Sequence, residues 1–176
     1  MIKINNKLIE LHHFPDNTLN IKLKPIVNSS IVISWFYEND AEYMALAFIT
    51  KYYQAKNNDV VLFLPYIPNA RMDRVEYDTD VFTLKYFCQL INSLNFTGVY
   101  VCEPHSNVSA ALINKCAVIN FDDVVNKVIN NISEESNKEV CLFYPDEGAM
   151  KRYSKKVDRP FAFGIKKRDW QTGKIW

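Results

Sequence analysis

Two spacings of apolar residues alternate along the 176 residues of this chain. Short runs rich in β-branched and aromatic residues occupy 7–13, 19–24, 30–37, 59–64, 97–102, 116–120, 139–144 and 160–165, and each predicts a strand. Between several of them apolar residues return every three or four positions, the period of a helix with one buried side. Residues 40–54 place Met44, Ala45, Phe48, Ile49 and Tyr52 on one side, and residues 80–94 do the same with Val81, Leu84, Cys88 and Ile91. Residues 122–132 carry Val124, Val125, Val128, Ile129 and Ile132 in that pattern. The strands DVVLFL (59–64) and GVYVC (98–102) are almost continuously apolar, as expected where both faces of a parallel sheet are covered. Strands alternating with helices predict an open α/β sheet that meets its ligands at the C-terminal ends of strands. The polar stretch 133–138 is expected as a loop within one domain, and no repeat or low-complexity linker divides the chain.

Composition narrows the function classes. Lys and Arg (21) nearly cancel Asp and Glu (20), so the net charge of +1 gives no footprint for nucleic acid or a membrane surface. No apolar run is long enough to span a bilayer, and the N-terminal MIKINNKLIE lacks a signal-peptide core, so a cytoplasmic protein is expected. The four cysteines, Cys88, Cys102, Cys116 and Cys141, form no CxxC pair and read as buried thiols. Glycine is scarce, at 4 residues, while asparagine is abundant.

Four polar clusters follow or separate the predicted strands, where an α/β sheet presents its ligand groups. They are Phe14-Pro15-Asp16-Asn17-Thr18; the run from Pro65 to Arg74, PYIPNARMDR; Glu103-Pro104-His105-Ser106; and the run from Pro145 to Arg152, PDEGAMKR. Asp146 and His105 each follow a buried strand directly, so both are candidates for one crevice. A hydrated magnesium ion there needs one or two protein ligands besides phosphate oxygens. Walker-type and GxGxxG loops are missing from the sequence.

The run LPYIPNARMDR (64–74) resembles the strand-to-loop signature of the phosphoribosyl pyrophosphate (PRPP) synthetases, approximately P-Y-x-P-Y-A-R-Q-D-R. Further matches follow in the order of that family. Glu103-Pro104-His105-Ser106 is similar to its D-x-H-S, Pro145–Arg152 to its P-D-x-G-G-x-K-R, and Lys166-Lys167-Arg168 to its K-R-R. FPDNTLNIKL (14–23) is similar to its F-x-[DN]-G-E flag segment near the N-terminus. The resemblance covers nearly the whole chain.

That resemblance implies a phosphoribosyltransferase-like α/β fold, mostly parallel with helices on both faces, assembling into homo-oligomers. Residues 1–176 would be the N-terminal ATP-binding domain, with the second domain, which binds the acceptor's phosphate, absent from this sequence. The implied reaction is magnesium-dependent transfer of the diphosphoryl group of ATP to the C1 hydroxyl of ribose 5-phosphate, giving PRPP and AMP. By the match, Arg71, Met72 and Asp73 would meet ATP, with Phe14, Asp16 and Thr18 reaching it from a neighbouring subunit. His105 would serve both ATP and metal, Asp146 the metal, and Lys166 and Arg168 catalysis.

The departures are specific. Thr18 stands where the family carries Glu, Met72 where it carries Gln, Glu103 where it carries Asp, and Ala149 where it carries a second Gly. The family's Q-x-x-x-F-F pattern after the histidine is replaced by Asn107-Val108-Ser109-Ala110-Ala111, and its D-D-x-x-x-T-[AG]-G-T cradle for the acceptor phosphate is not in this sequence. These 176 residues alone are therefore expected to turn over little or nothing. The same departures leave two alternatives: a diphosphokinase with another ribose 5-phosphate-bearing acceptor such as ADP-ribose, or a non-catalytic nucleotide-binding subunit associated with a true synthetase.

Overall fold

A computed structural model describes residues 1–136 and 138–167 of the chain, which divides into two compact units, 1–119 and 120–176. The first unit is built on a six-stranded sheet. Its strands are β1 (Ile2–Ile4), β2 (Lys7–Leu8), β5 (Ser30–Trp35), β6 (Asp59–Leu64), β7 (Gly98–Cys102) and β8 (Cys116–Ile119), in the order β2-β1-β5-β6-β7-β8. The pairs β5–β6, β6–β7 and β7–β8 are parallel, while β1 pairs antiparallel with both β2 and β5. A separate hairpin, β3 (His12–His13) with β4 (Leu19–Asn20), stands outside this sheet.

The parallel strands are joined by α1 (Glu42–Gln54), α2 (Thr83–Ser93) and α3 (Asn107–Leu112). A strand–helix–strand crossover is right-handed in nearly every protein, so three crossovers advancing in one direction put their helices on one face. The core follows that rule. Ile31, Ile33, Val60, Leu62, Leu64, Val99 and Val101 all lie on that face and cluster with Leu46, Ile49, Leu84, Cys88 and Ile91 from the helices. Each such side chain, fully buried, contributes roughly 1.5–3 kcal/mol relative to exposure. The alternate residues point to the other face, where Val61 and Phe63 are half-buried while Val32 and Tyr100 remain 39% and 43% exposed.

Trp35, at the C-terminal end of β5, is completely buried and donates its indole N–H to Glu42 Oε2 at 2.9 Å. The same carboxylate accepts from the backbone N–H of Glu38 at 3.0 Å and pairs with the amino group of Met1. Burial alone would push the Glu42 carboxyl up, but the amino terminus, the indole and the Glu38 N–H outweigh it and hold it below its ordinary 4.5. A folded-state value below the unfolded one means the network stabilises the unit fully above about pH 4.5. That contribution fades as pH falls through the folded value. Glu42→Gln is expected to be less stable than the parent at neutral pH and to show a flatter loss of stability on acidification, read from urea midpoints at stepped pH.

The second unit contains α4 (Asp122–Ser136), β9 (Leu142–Tyr144), α5 (Glu147–Tyr153) and β10 (Phe161–Phe163), with β9 and β10 parallel. Helix α4 runs through most of the stretch expected as a loop. Ser133, Glu134, Glu135 and Ser136 form its polar last turn, since Glu is a good helix former wherever solvent receives it. Of the apolar stripe on α4 only Ile129 is buried, and Val124, Val125, Val128 and Ile132 are exposed.

The mostly parallel sheet with helices agrees with the alternating pattern of the sequence. Elements shorter than two periods escape that pattern: β1, α3 and α5 have too few residues to show a repeat. The run 7–13 splits into β2 and β3, and 19–24 shrinks to β4. Cys88 and Cys102 are buried as expected, and burial pushes the Cys88 thiol up to about 11. Cys141 corrects the expectation, being exposed where the chain enters β9. Among the described residues no helix is long and apolar enough to cross a membrane.

Candidate functional site

In the first unit the polar clusters gather at strand ends. After β6 the chain tucks Ile67 and Ala70 into the core and turns at Asn69, whose φ of 62° is left-handed. The Ala70 N–H donates to the Ile67 carbonyl at 3.3 Å and the Met72 N–H to the Asn69 carbonyl at 3.0 Å. These anchors leave Arg71 exposed, with no carboxylate partner among the described residues, while Met72 and Asp73 are half-buried. Arg74 instead pairs with Glu76 at 3.3 Å.

After the neighbouring strand β7, Glu103 takes a left-handed φ of 40°, and its N–H donates to the Ile119 carbonyl at 3.4 Å. The strained turn carries the chain to His105, which is exposed, and to Ser106, which caps α3. The hydroxyls of Ser106 and Ser109 are buried without a hydrogen-bond partner among the described residues. An unpaired buried hydroxyl costs about 1–3 kcal/mol. The Arg71 loop and the His105 loop leave the same edge of the sheet, because β6 and β7 are adjacent and parallel.

The turn of the β3–β4 hairpin holds Phe14, Asp16 and Thr18. The Phe14 N–H donates to the Thr18 carbonyl at 2.9 Å. Asp16 Oδ1 accepts from the Thr18 N–H at 3.0 Å and from its hydroxyl at 2.7 Å, and these bonds lower the carboxyl's pKa, the backbone bond most. Thr18 therefore pins Asp16 from inside the turn. Phe14 stands 50% exposed beside them.

In the second unit two expected residues come together. Asp146 takes an extended conformation as the N-cap of α5, with Oδ1 accepting the Ala149 N–H at 2.8 Å. Only the backbone of residue 149 is used, so Ala serves there as well as Gly would. The other carboxylate oxygen faces the Lys166 ammonium at 3.7 Å. The Ala149 bond first, and then Lys166, hold the Asp146 carboxyl below its ordinary range. Because β9 and β10 are parallel neighbours, Pro145-Asp146 and Gly164-Ile165-Lys166 leave them side by side. Gly164 permits this, since a Cβ there would lie 2.8 Å from the Pro145 carbonyl oxygen. Arg168 lies outside the described residues.

Among the described residues no three His, Cys, Asp or Glu side chains converge as a metal cage. That donor set still fits a magnesium ion carried in on phosphate oxygens, which takes only one or two protein ligands. Asp146 Oδ2 and the His105 imidazole are groups of the right kind, each in its own unit.

Comparison with known proteins bears on the fold and on the family resemblance. No family model matches the chain. A ribose-phosphate pyrophosphokinase of Sulfurisphaera tokodaii is 24% identical over 181 aligned positions, covering 98% of this chain and 61% of that protein. Its namesake in Sulfolobus acidocaldarius is 22% identical, over 97% of this chain and 60% of the relative. This chain is similar to the ribose-phosphate pyrophosphokinases over nearly all of its own length. It spans about three-fifths of the length of these curated relatives. The crystal structure of phosphoribosylpyrophosphate synthetase from Mycobacterium smegmatis superposes with a TM-score of 0.71 at 14% identity. It covers 92% of this chain and 57% of that one, so the phosphoribosyltransferase-like α/β fold is shared.

Against the family's motifs, two features are visible only in three dimensions. Gly164 lies between motifs, and the close approach that demands it is between strands. The polar run Glu38-Asn39-Asp40 follows the buried strand β5 as the other clusters follow theirs, and the motif comparison passes over it.

Proposed function

We propose that this chain supplies the ATP-handling part of a magnesium-dependent ribose-phosphate diphosphokinase, the acceptor's phosphate being held by residues beyond these 176. The observation that carries this reading is the likeness of nearly all of this chain to about three-fifths of two ribose-phosphate pyrophosphokinases. The placement of Arg71, His105, Asp146 and Lys166 at the C-terminal ends of parallel strands supports it.

In this reaction the C1 hydroxyl oxygen of ribose 5-phosphate bonds to the β-phosphorus, and the bond from that phosphorus to the α,β-bridging oxygen breaks. AMP leaves and PRPP forms. Asp146 in the second unit and His105 in the first are each a group that would hold magnesium, and the ion would neutralise phosphate charge. Arg71, exposed and with no carboxylate partner among the described residues, offers a planar cation to stack on the adenine ring, and Met72 and Asp73 follow it in the same loop. Phe14, on the hairpin that projects from the sheet, adds an aromatic face for the ATP of a neighbouring subunit. Asp16 and Thr18 shape that turn. Lys166 supplies charge where the non-bridging oxygens gain it, and Arg168 assists.

AMP release by the full-length protein, run in parallel with ribose 5-phosphate and with ADP-ribose, tests the proposal. Turnover with ribose 5-phosphate is expected. Turnover with ADP-ribose alone would reassign the acceptor, and no AMP from either, with ATP still bound, would make the protein a non-catalytic subunit. Arg71→Ala should weaken ATP binding by roughly 1–2 kcal/mol, the scale of a partly desolvated cation–π contact, as read by calorimetry. Unchanged affinity would remove Arg71 from the site.

A further inference from the structure

The first unit also holds a recess of about 360 Å³ for which the diphosphokinase reading has no use. It is lined by Trp35 at the end of β5, Tyr37 and Asp40 in the link to α1, Tyr43 on α1, Asn69 after β6, and Tyr86 on α2. Four of these six are aromatic. Trp35 and Tyr37 meet edge-to-face with centroids 5.7 Å apart. Concave sites of this size, mostly apolar with a few placed polar groups, are the usual form of a small-molecule pocket.

The polar groups narrow the ligand. The Tyr37 hydroxyl donates to Asp40 Oδ1 at 2.9 Å, and the Tyr43 hydroxyl to the Leu90 carbonyl at 3.0 Å. Both phenols are thus engaged, and the Tyr37 bond orients the Asp40 carboxylate while leaving Oδ2 as an acceptor. The Asn69 carboxamide adds a donor and an acceptor, held by the left-handed turn that fixes its backbone. Among the described residues no lysine or arginine lines the recess, so it has nothing for a phosphate. An organic cation is disfavoured as well, because the Lys85 ammonium already lies over the Tyr86 ring, 6.0 Å from its centroid. What remains is a flat, uncharged heterocycle with an N–H donor beside an acceptor. Asparagine pairs with just that edge of an aminopurine.

We propose that this recess is a binding site for the base of a purine nucleoside, stacked on Tyr86 and Tyr37, with its exocyclic amine donating to Asp40 and its edge paired with Asn69. The site needs neither phosphate nor metal, so competition by tripolyphosphate separates its fate from that of the diphosphokinase reading.

Calorimetric titration of the intact chain with adenosine, without magnesium, tests it, with inorganic tripolyphosphate as competitor. Tyr86→Ala should weaken adenosine binding about ten- to a hundred-fold, the scale of one base–aromatic stack. Tyr86→Phe should retain it, and Asp40→Asn should weaken it about tenfold by removing a charged acceptor. Tripolyphosphate should leave it unchanged. Circular dichroism of each variant confirms that the fold survives. Four results would overturn the inference: no adenosine binding; binding indifferent to Tyr86→Ala and Asp40→Asn; binding displaced by tripolyphosphate; or a change in oligomeric state in Tyr86→Ala with adenosine affinity intact. The last would make the recess an interface between copies of the chain.

Discussion

Replacing Lys166 with alanine is expected to lower AMP release by the full-length protein about a hundred- to a thousand-fold, the cost of losing one preorganised group aimed at developing charge. ATP affinity should change by less than about tenfold, because the lysine's charge matters most where the transferred group gains charge in the transition state. The structure adds a reason to expect a clean result. Lys166 is 44% exposed and reaches Asp146 at 3.7 Å, so its loss leaves no cavity. Single-turnover rates and calorimetry on the same preparation separate the two effects. Equal losses in binding and turnover would assign Lys166 to ground-state binding and withdraw its catalytic role. Lys166→Arg keeps the charge and should recover part of the rate.

The largest stability effect is expected at Trp35. It is fully buried where β5 meets α1, with Phe87 6.1 Å away and Tyr37 5.7 Å away, centroid to centroid. Trp35→Ala removes an indole the surrounding rings cannot replace and should cost about 3–5 kcal/mol, the usual range for truncating a buried large aromatic. Against a typical domain stability of about 5–15 kcal/mol, this leaves the first unit partly unfolded at ambient temperature. Trp35→Phe keeps most of the ring but removes the N–H that reaches Glu42, and should cost about 1–3 kcal/mol for a buried acceptor left short of a partner. Urea denaturation followed by circular dichroism measures both. An alanine variant within about 1 kcal/mol of the parent would mean that the Trp35 pocket collapses without loss.

Much of the fold was legible because its signals are local. A three-to-four residue repeat over 40–54 and 80–94 reports one buried helix face, whatever that face packs against, and α1 and α2 lie where the repeat runs. The apolar runs of β6 and β7 were legible in the same way. Elements below two periods were not, and β1, α3 and α5 are the examples. The scarcity of glycine also acquires a physical meaning. Of nine left-handed non-glycine residues among those described, seven are asparagines: Asn5, Asn6, Asn17, Asn28, Asn57, Asn69 and Asn95. Asparagine tolerates that conformation better than other residues with a Cβ, so the chain turns on Asn where other proteins use Gly.

Among the site residues, the motifs marked which loops to watch, and the structure showed how each is held. Met72, in place of the family's Gln, keeps Arg71 exposed through a backbone bond that any residue but proline makes. Thr18, in place of Glu, turns inward to Asp16. The recess around Tyr37, Asp40 and Tyr86 carried no readable signal, since its walls come from three segments far apart in sequence.

By itself, then, the sequence determined the alternation of strands and helices, the buried stripe of each, and the loops that carry polar groups, because each depends on residues within a few positions of one another. Only the tertiary structure decided which strands are neighbours, and so which loops share an edge. It also decided that three crossovers in one direction place α1, α2 and α3 on one face of the sheet. The approach of Lys166 to Asp146 belongs to the same class. It requires two parallel strands whose residues stand about twenty positions apart, and a glycine at 164 to let the chains pass. Pairing of that kind is settled by packing and backbone hydrogen bonds across the sheet, and no local spacing encodes it.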